Sequence, residues 1–441
     1  MNPYSSPELH VLEYEENKKH PQYKTLHLPG ADKHIYSPHV VEQLPTAWSA
    51  MHWGELQYEY DNDHYDDKAS MYIHCSYSLK DRAVSLIKRV IMSVTVPEII
   101  VNDAHKDTIR VAWTSNLAYA VIQEAAIDVG GARPYPLSRH ALKVTAVAMC
   151  NDAAEVAELD FTCGNRPQLT NWTTNLEATQ VGFTQPFFFN RLESGLICYT
   201  VKPVTFEYEF ELRVAEWLRC EKLEDGTWKA VRPEPAYFQR MPHRLPMPRL
   251  TGQFFYNSKY ADLKLTSDSQ HTFRFTDIVE MSAPNPTDCQ QIMNVVMDKD
   301  LLVKAALIVV ENTTMQKRQR QSCHYTSDVA EVKVEYDHMT RMVLRGNPVV
   351  SRIMAATHFG HTLPEWMHAL SWVHEPWDNM ESDVALSRLS AKIQIMMKQQ
   401  MLDEDLYRYH AFFLVQRTIH YDAVGKQDAE KSAIQFKVSI V

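Results

Sequence analysis

Between Val204 and Val214 the chain alternates without a break. Val204, Phe206, Tyr208, Phe210, Leu212 and Val214 fall on one side, and Thr205, Glu207, Glu209, Glu211 and Arg213 on the other. An extended backbone sends successive side chains to opposite faces, so the pattern predicts a long strand with one buried and one wet face. An aromatic block, Pro186 to Phe189, and a turn at Glu193-Ser194-Gly195 precede it. Glycine gives that reversal the backbone freedom it needs. A short buried run, a turn and an amphipathic strand predict a sheet-edge unit of an antiparallel β-sandwich. Nothing in the stretch has a catalytic pattern.

The same texture recurs along the chain. Val90 to Val96 stops at Pro97, Ile109 to Trp113 follows, and Ala118 to Val129 stops at Gly130-Gly131. Later come Thr272 to Phe275, a nearly continuous apolar run from Leu301 to Glu311, and strict alternation from Val332 to Tyr336. Trp366 to Trp372 and Phe412 to Tyr421 follow, and at the end Ile434, Phe436, Val438 and Ile440 alternate with Gln435, Lys437 and Ser439. Short runs separated by turn signals predict an all-β sandwich or barrel. Ser382 to Tyr407 reads both ways: Leu386, Leu389, Ile393 and Met397 have helical spacing, while Ala391 to Ile395 alternates. Arg133 to Gln180 reads as loop. Leu223 to Leu250 carries Pro233, Pro235, Pro242, Pro246 and Pro248 and reads as a long surface connection. Residues 1 to about 70 are polar and acidic and read as an arm or irregular lead-in.

Composition narrows the function classes. With 441 residues, 45% of them hydrophobic, the chain has room for two or three domains. A formal charge of -10 opposes a primary grip on nucleic acid, which needs a clustered basic surface. The seven cysteines are scattered and form no Cys-x-x-Cys pair, which fits buried thiols in a reducing compartment. The first residues, MNPYSSPELHVLEYEENKK, have no apolar core of a signal peptide, and the longest apolar run, Ala305 to Val310, suits a strand. A soluble protein made in the cytosol is expected.

Chemical motifs are scarce. His358, His361, His368 and His374, with Glu375 beside the last, invite a metal site on a β-sandwich. They lack a His-Glu-x-x-His spacing, and the interleaved Trp366, Trp372 and Trp377 point to packing instead. The acids around Tyr58 to Asp67 lack the spacing of an EF-hand. No phosphate-binding glycine loop and no Gly-x-Ser-x-Gly elbow is present. The basic run Lys317 to Arg320 reads as a solvated strand end. Asn171-Trp172-Thr173 and Asn312-Thr313-Thr314 are glycosylation patterns, candidate sites only where the chain meets that machinery. No catalytic, cofactor-binding or metal residue is expected.

Several stretches, taken in order, resemble one family. Ala126 to Gly131, an acidic strand ending in Gly-Gly, is the first. Gln185 to Arg191 with Ser194-Gly195-Leu196 and the alternating strand is the second. Ala306 to Glu311 with Arg318-Gln319-Arg320 is the third, His361 to Glu365 with Leu370 to Val373 the fourth, and Ser390 to Ile395 with Arg408-Tyr409 the fifth. Their collinear order resembles the major capsid proteins of the nucleocytoplasmic large DNA viruses, the double jelly-roll group of iridoviruses and chloroviruses. The resemblance implies two tandem eight-stranded antiparallel jelly rolls with long loop insertions. It also implies a strand at Ala391 to Ile395. The expected division is an arm over 1–70, a first roll over 71–320 with a long insertion around 221–300, and a second roll over 321–441. The implied role is structural rather than enzymatic: homotrimers forming pseudo-hexameric capsomers of an icosahedral virion, assembled in the host cytoplasm. Neighbouring capsomers, minor capsid proteins and an internal membrane are the implied partners, with no direct nucleic acid. The alternatives are a minor capsid or scaffolding protein of the same fold, and a non-viral β-sandwich that binds metal or ligand through the His358 to His374 stretch.

Overall fold

The computed structural model of the chain describes residues 51–60, 72–78, 84–191, 196–197, 204–256, 271–284, 290–296, 301–313, 323–336, 339–345, 348–377, 391–398, 407–424 and 435–440. The turn at 193–195, the basic run 317–320 and most of the acidic lead-in lie outside these residues. In the first half the main strands are β1 (Met51–Glu55), β2 (Gln57–Tyr60), β3 (Ile73–Ser78), β4 (Val84–Val96), β5 (Ile122–Val129), β6 (Thr179–Thr184), β7 (Val204–Phe210) and β8 (Arg249–Tyr256). They form two antiparallel sheets, ordered β1-β8-β4-β6 and β2-β3-β7-β5, each extended by a two-residue strand. The alternation read from the sequence is realised in β7. Val204, Phe206, Tyr208 and Phe210 are buried, and Thr205, Glu207 and Glu209 are half-exposed.

That strand is shorter and more central than its pattern suggests. It pairs with β3 on one side and β5 on the other, so it is no edge. It ends at Phe210, where the register with β5 slips between Glu209 and Phe210, and Val214–Trp217 forms a helical turn. Leu212 and Val214 stay buried in the connection, which is why their apolar character mimicked two more strand positions.

In the second half the strands are β9 (His271–Pro284), β10 (Gln290–Asn294), β11 (Leu302–Asn312), β12 (Val329–Tyr336), β13 (Met339–Arg345), β14 (His368–Ser371), β15 (Lys392–Met397), β16 (Tyr407–Val424) and β17 (Gln435–Ile440). One sheet runs β9-β16-β11-β14, with β17 also on β16, and the other β10-β15-β12-β13. The antiparallel sheets make this an all-β chain of double jelly-roll type. The alternation over Ala391 to Ile395 becomes strand β15, as the resemblance implied.

The pairings move the expected boundaries. Strands β9, β10 and β11 bond to β15, β16 and β14, so 271–312 belong to the second set of sheets and not to a first roll ending at 320. The connection between the two sets falls between β8 and β9. The 221–300 region is not one insertion. It contains β8, β9 and β10, and also Thr227–Val231, which pairs with Leu218–Glu224. Residues 51–60 of the expected arm are strands β1 and β2, paired to β8 and β3. Hydrogen-bond partners far along the chain decide these boundaries, and local composition carries no trace of them.

Arg133 to Gln180, read as loop, contains two helices, α1 (Arg139–Ala148) and α2 (Ala153–Thr162). Ser138 caps α1 by accepting from the Ala141 N–H at 3.1 Å, and Asp152 caps α2 by accepting from Glu155 at 2.8 Å. Nine of the ten residues of α1 are buried, His140 and Lys143 among them. The ten residues do carry a helical period, but a run this short is stable only when packed, and the packing partners lie far along the chain.

Two cores meet at the sheet that contains β11. Val303, Ala306, Ile308 and Val310 join Tyr409, Ala411, Phe413 and Val415 in a core shared with Val332, Val334, Ile393 and Ile395 of the facing sheet. Ala305, Leu307 and Val309, with Phe412 and Leu414, belong to the core of the first half. A bulge at Lys304, between Val303 and Ala305, sets this phase. A strand buried on both faces reads as one continuous apolar run, which explains the sequence from Leu301 to Glu311. Helix α3 (Pro348–Phe359) completes the second half: Ala355 and Phe359 turn inward, and Val349, Val350, Ile353 and Met354 are exposed.

Candidate functional site

The histidines singled out in the sequence do not converge. The His358 ring lies 3.1 Å from the carbonyl oxygen of His374 through Nδ1, and the two rings are 6.2 Å apart. His361 is buried, with Nε2 3.1 Å from the Val147 carbonyl and Nδ1 3.2 Å from that of Phe359. His368 sits on β14, where burial first and the Lys398 charge second push its pKa down to about 4. His374 and Glu375 are exposed. The stretch is used for packing and for hydrogen bonds to backbone, so the reading based on a metal or ligand site there has no geometric support. Of the two glycosylation patterns, Asn171 is exposed after the helical turn Pro167–Thr170. Asn312 is half-buried at the end of β11, with its N–H donating to the His324 carbonyl at 3.0 Å.

The polar groups that do converge lie where α1 meets the sheet of the second half. β16 runs between β9 and β11, with His410 opposite Ser282 on one side and Val309 on the other. Glu280 and Glu311 are two positions along those neighbouring strands, on the same sheet face as His410. The Glu280 Oε1 atom is 3.0 Å from His410 Nδ1, and Glu311 Oε2 is 3.7 Å from His410 Nε2. From above, α1 lowers His140 onto the pair. Its Nε2 lies 3.6 Å from Glu311 Oε2, and its ring centroid is 4.4 Å from that of His410. Tyr325 closes the group, its hydroxyl 3.0 Å from His140 Nδ1. The Ser138 hydroxyl, at the start of α1, donates to Glu280.

Burial sets the electrostatics. Glu311 is 1% exposed and His410 2%. Burial pushes His140 well below the usual histidine range, and the charge of His410 adds to the effect. Burial also works against a charged His410, but the carboxylates of Glu280 and Glu311 outweigh it and leave its pKa raised. Beside them Lys143 donates to the Cys323 carbonyl at 3.1 Å and lies over the rings of Tyr325 and Trp366. Its burial lowers its pKa. The cluster lies where α1 of the first half meets the sheet of the second, so it can serve cohesion between the halves or hold a small ion.

Helix α1 is held at its other end too. Its last carbonyls, Val147 and Ala148, face His361 Nε2 at 3.1 Å and accept from Trp377 Nε1 at 3.2 Å. Further contacts cross the same junction. Asp277 accepts from the Tyr135 N–H at 3.1 Å and pairs with Arg417, also at 3.1 Å. Burial raises the pKa of Asp277 against these partners.

Sequence reading missed His140, Glu311 and His410 as a group. Glu311 ends an apolar run, His140 falls in the stretch that reads as loop, and His410 falls between Tyr409 and Phe412, outside every pattern. The one local signal is a glutamate closing the apolar run from Ala305 to Val310, a position where a carboxylate needs a partner.

No protein-family model matches the sequence, and no curated protein does. Solved structures do match in fold. The Faustovirus major capsid protein superposes with a TM-score of 0.62 at 8% identity, covering 84% of this chain and 90% of that one. The crystal structure of PBCV-1 VP54, fitted into a reconstruction of the virophage Sputnik, gives 0.59 at 10% identity, covering 84% and 94%. A chain of the Sputnik virophage gives 0.52 at 8% identity, covering 84% and 86%.

Proposed function

We propose that this chain is a major capsid protein, a structural block whose copies associate as trimers and tile an icosahedral viral shell. The observation that carries the reading is the extent of the likeness in fold, which spans more of the chain than either pair of sheets occupies alone. Two sandwiches in one polypeptide make a trimer present six similar corners, and such a block fills a hexagonal lattice without six separate subunits. The junction supports the role: helix α1 of the first half is bonded at both ends to residues of the second. The exposed apolar face of α3, with Val349, Val350, Ile353 and Met354, is our candidate for contact between copies.

On this reading the chain acts in the virion capsid, does no chemistry and touches no nucleic acid directly. Its partners are other copies of itself, neighbouring capsomers, minor capsid proteins and an internal membrane beneath the shell. Assembly takes place in the host cytoplasm. The glycosylation patterns at Asn171 and Asn312 remain proposals, of which the exposed Asn171 is the more accessible. The test is the mass of the purified protein by light scattering, with electron microscopy of concentrated samples. A trimer near three times the 51.0 kDa chain mass that packs into hexagonal arrays is expected. A monomer that never assembles, with or without the other virion proteins, would overturn the reading.

A further inference from the structure

We infer that His140, Glu311 and His410 form a binding site for a divalent transition-metal ion, Zn²⁺ by donor chemistry, that pins α1 of the first half to the central sheet of the second. The donor atoms, two imidazole nitrogens and a carboxylate oxygen, all lie within 4.8 Å of one another. Both Nε2 atoms face the same oxygen, at 3.6 and 3.7 Å. Tetrahedral zinc with bonds of about 2.0–2.2 Å sets its ligand atoms roughly 3.4 Å apart, close to the two nitrogen–oxygen distances found here.

Three further observations favour a ligand over packing alone. Glu311 Oε1 and His410 Nε2 are buried with no hydrogen-bond partner, a costly arrangement that a bound cation relieves. The outer nitrogens are already oriented: His410 Nδ1 on the Glu280 carboxylate and His140 Nδ1 on the Tyr325 hydroxyl, each at 3.0 Å. Metal-bound histidines are held in this way, because a partner on the far nitrogen fixes the tautomer that points its lone pair at the ion. Two carboxylates, Glu280 and Glu311, both on His410, match the two charges of the ion itself, against the opposing charge of Arg139, Lys143 and Arg408 nearby. Imidazole with a single carboxylate suits zinc and its neighbours, whereas calcium and magnesium prefer all-oxygen shells.

The site joins residues from both halves, so the ion would act as a staple. This inference does not depend on the capsid reading, because the whole site lies within one chain. It is tested on the full chain, stripped with chelator and dialysed, by metal analysis, by titration with Zn²⁺ and by the visible spectrum with Co²⁺. One equivalent of zinc, a rise in the thermal midpoint on adding zinc, and ligand-field bands of a nitrogen- and oxygen-bound Co²⁺ are expected. His140→Gln should lose that equivalent, and His358→Ala should retain it. Because His140→Gln alters a buried position, Tyr325→Phe provides a second variant. It keeps the ring, removes the orienting hydroxyl, and should weaken zinc binding about 10-fold or more. The inference fails if the parent chain binds no stoichiometric zinc, or if every folded variant of the pair His140→Gln and Tyr325→Phe binds it as tightly as the parent.

Discussion

His361 of the second half and Val147 of the first lie 214 residues apart in sequence, yet the imidazole Nε2 is 3.1 Å from the Val147 carbonyl oxygen. The contact sits at the C-terminal end of helix α1, where carbonyls no longer find partners inside the helix. It is one of the bonds that make two sandwiches a single body.

His361→Ala should therefore destabilise the protein by about 1–3 kcal/mol, from a lost buried hydrogen bond and the space the ring leaves. Urea unfolding followed by fluorescence checks this. A change confined to the experimental error would show that the Trp377 bond to Ala148 holds the helix end alone.

Gly182 of β6 lies opposite Ser93 of β4, and a Cβ added there would come within 2.4 Å of the Met92 carbonyl oxygen. That atom is backbone and cannot swing aside. Gly182→Ala should cost about 1–3 kcal/mol by overpacking, and the thermal midpoint should fall accordingly. An unchanged midpoint would mean that the β4–β6 pair can separate without loss.

His368 carries the acid sensitivity that geometry predicts most directly. Its folded pKa of about 4 lies below the ordinary 6.5, so the folded state resists a proton that the unfolded chain accepts. Stability from this group is complete above pH 6.5 and is lost as pH falls from there to about 4. The full loss is about 3 kcal/mol. His368→Leu should flatten that part of the stability profile, measured by denaturant midpoints across the same range. A variant with the parent's slope would assign the effect to other groups.

Ile353 is 63% exposed on α3, one turn from Val349 at 62%. If this face joins copies of the chain, Ile353→Asp should leave the fold intact by circular dichroism and shift the light-scattering mass from trimer toward monomer. Trimers that persist at the same dilution would place the interface elsewhere.

The all-β class and much of the layering are legible in local side-chain pattern alone. Side-chain direction alternates within any strand, so the period through Phe206, Tyr208 and Phe210 shows a one-sided surface whatever the strand pairs with. The unbroken run from Ala305 to Val310 likewise shows a strand enclosed on two sides. Both are local consequences of backbone geometry. The sequence did not show which strands are neighbours. Local pattern therefore puts 271–312 with the first half and reads α1 as loop, whereas strand pairing and helix docking do otherwise. Only the tertiary structure brought Glu311 next to His410, by pairing β11 with β16, and then set His140 on both by docking α1. Histidines close in sequence, from His358 to His374, were separated by the same folding, because proximity in space is fixed by sheet register and helix docking rather than by chain spacing.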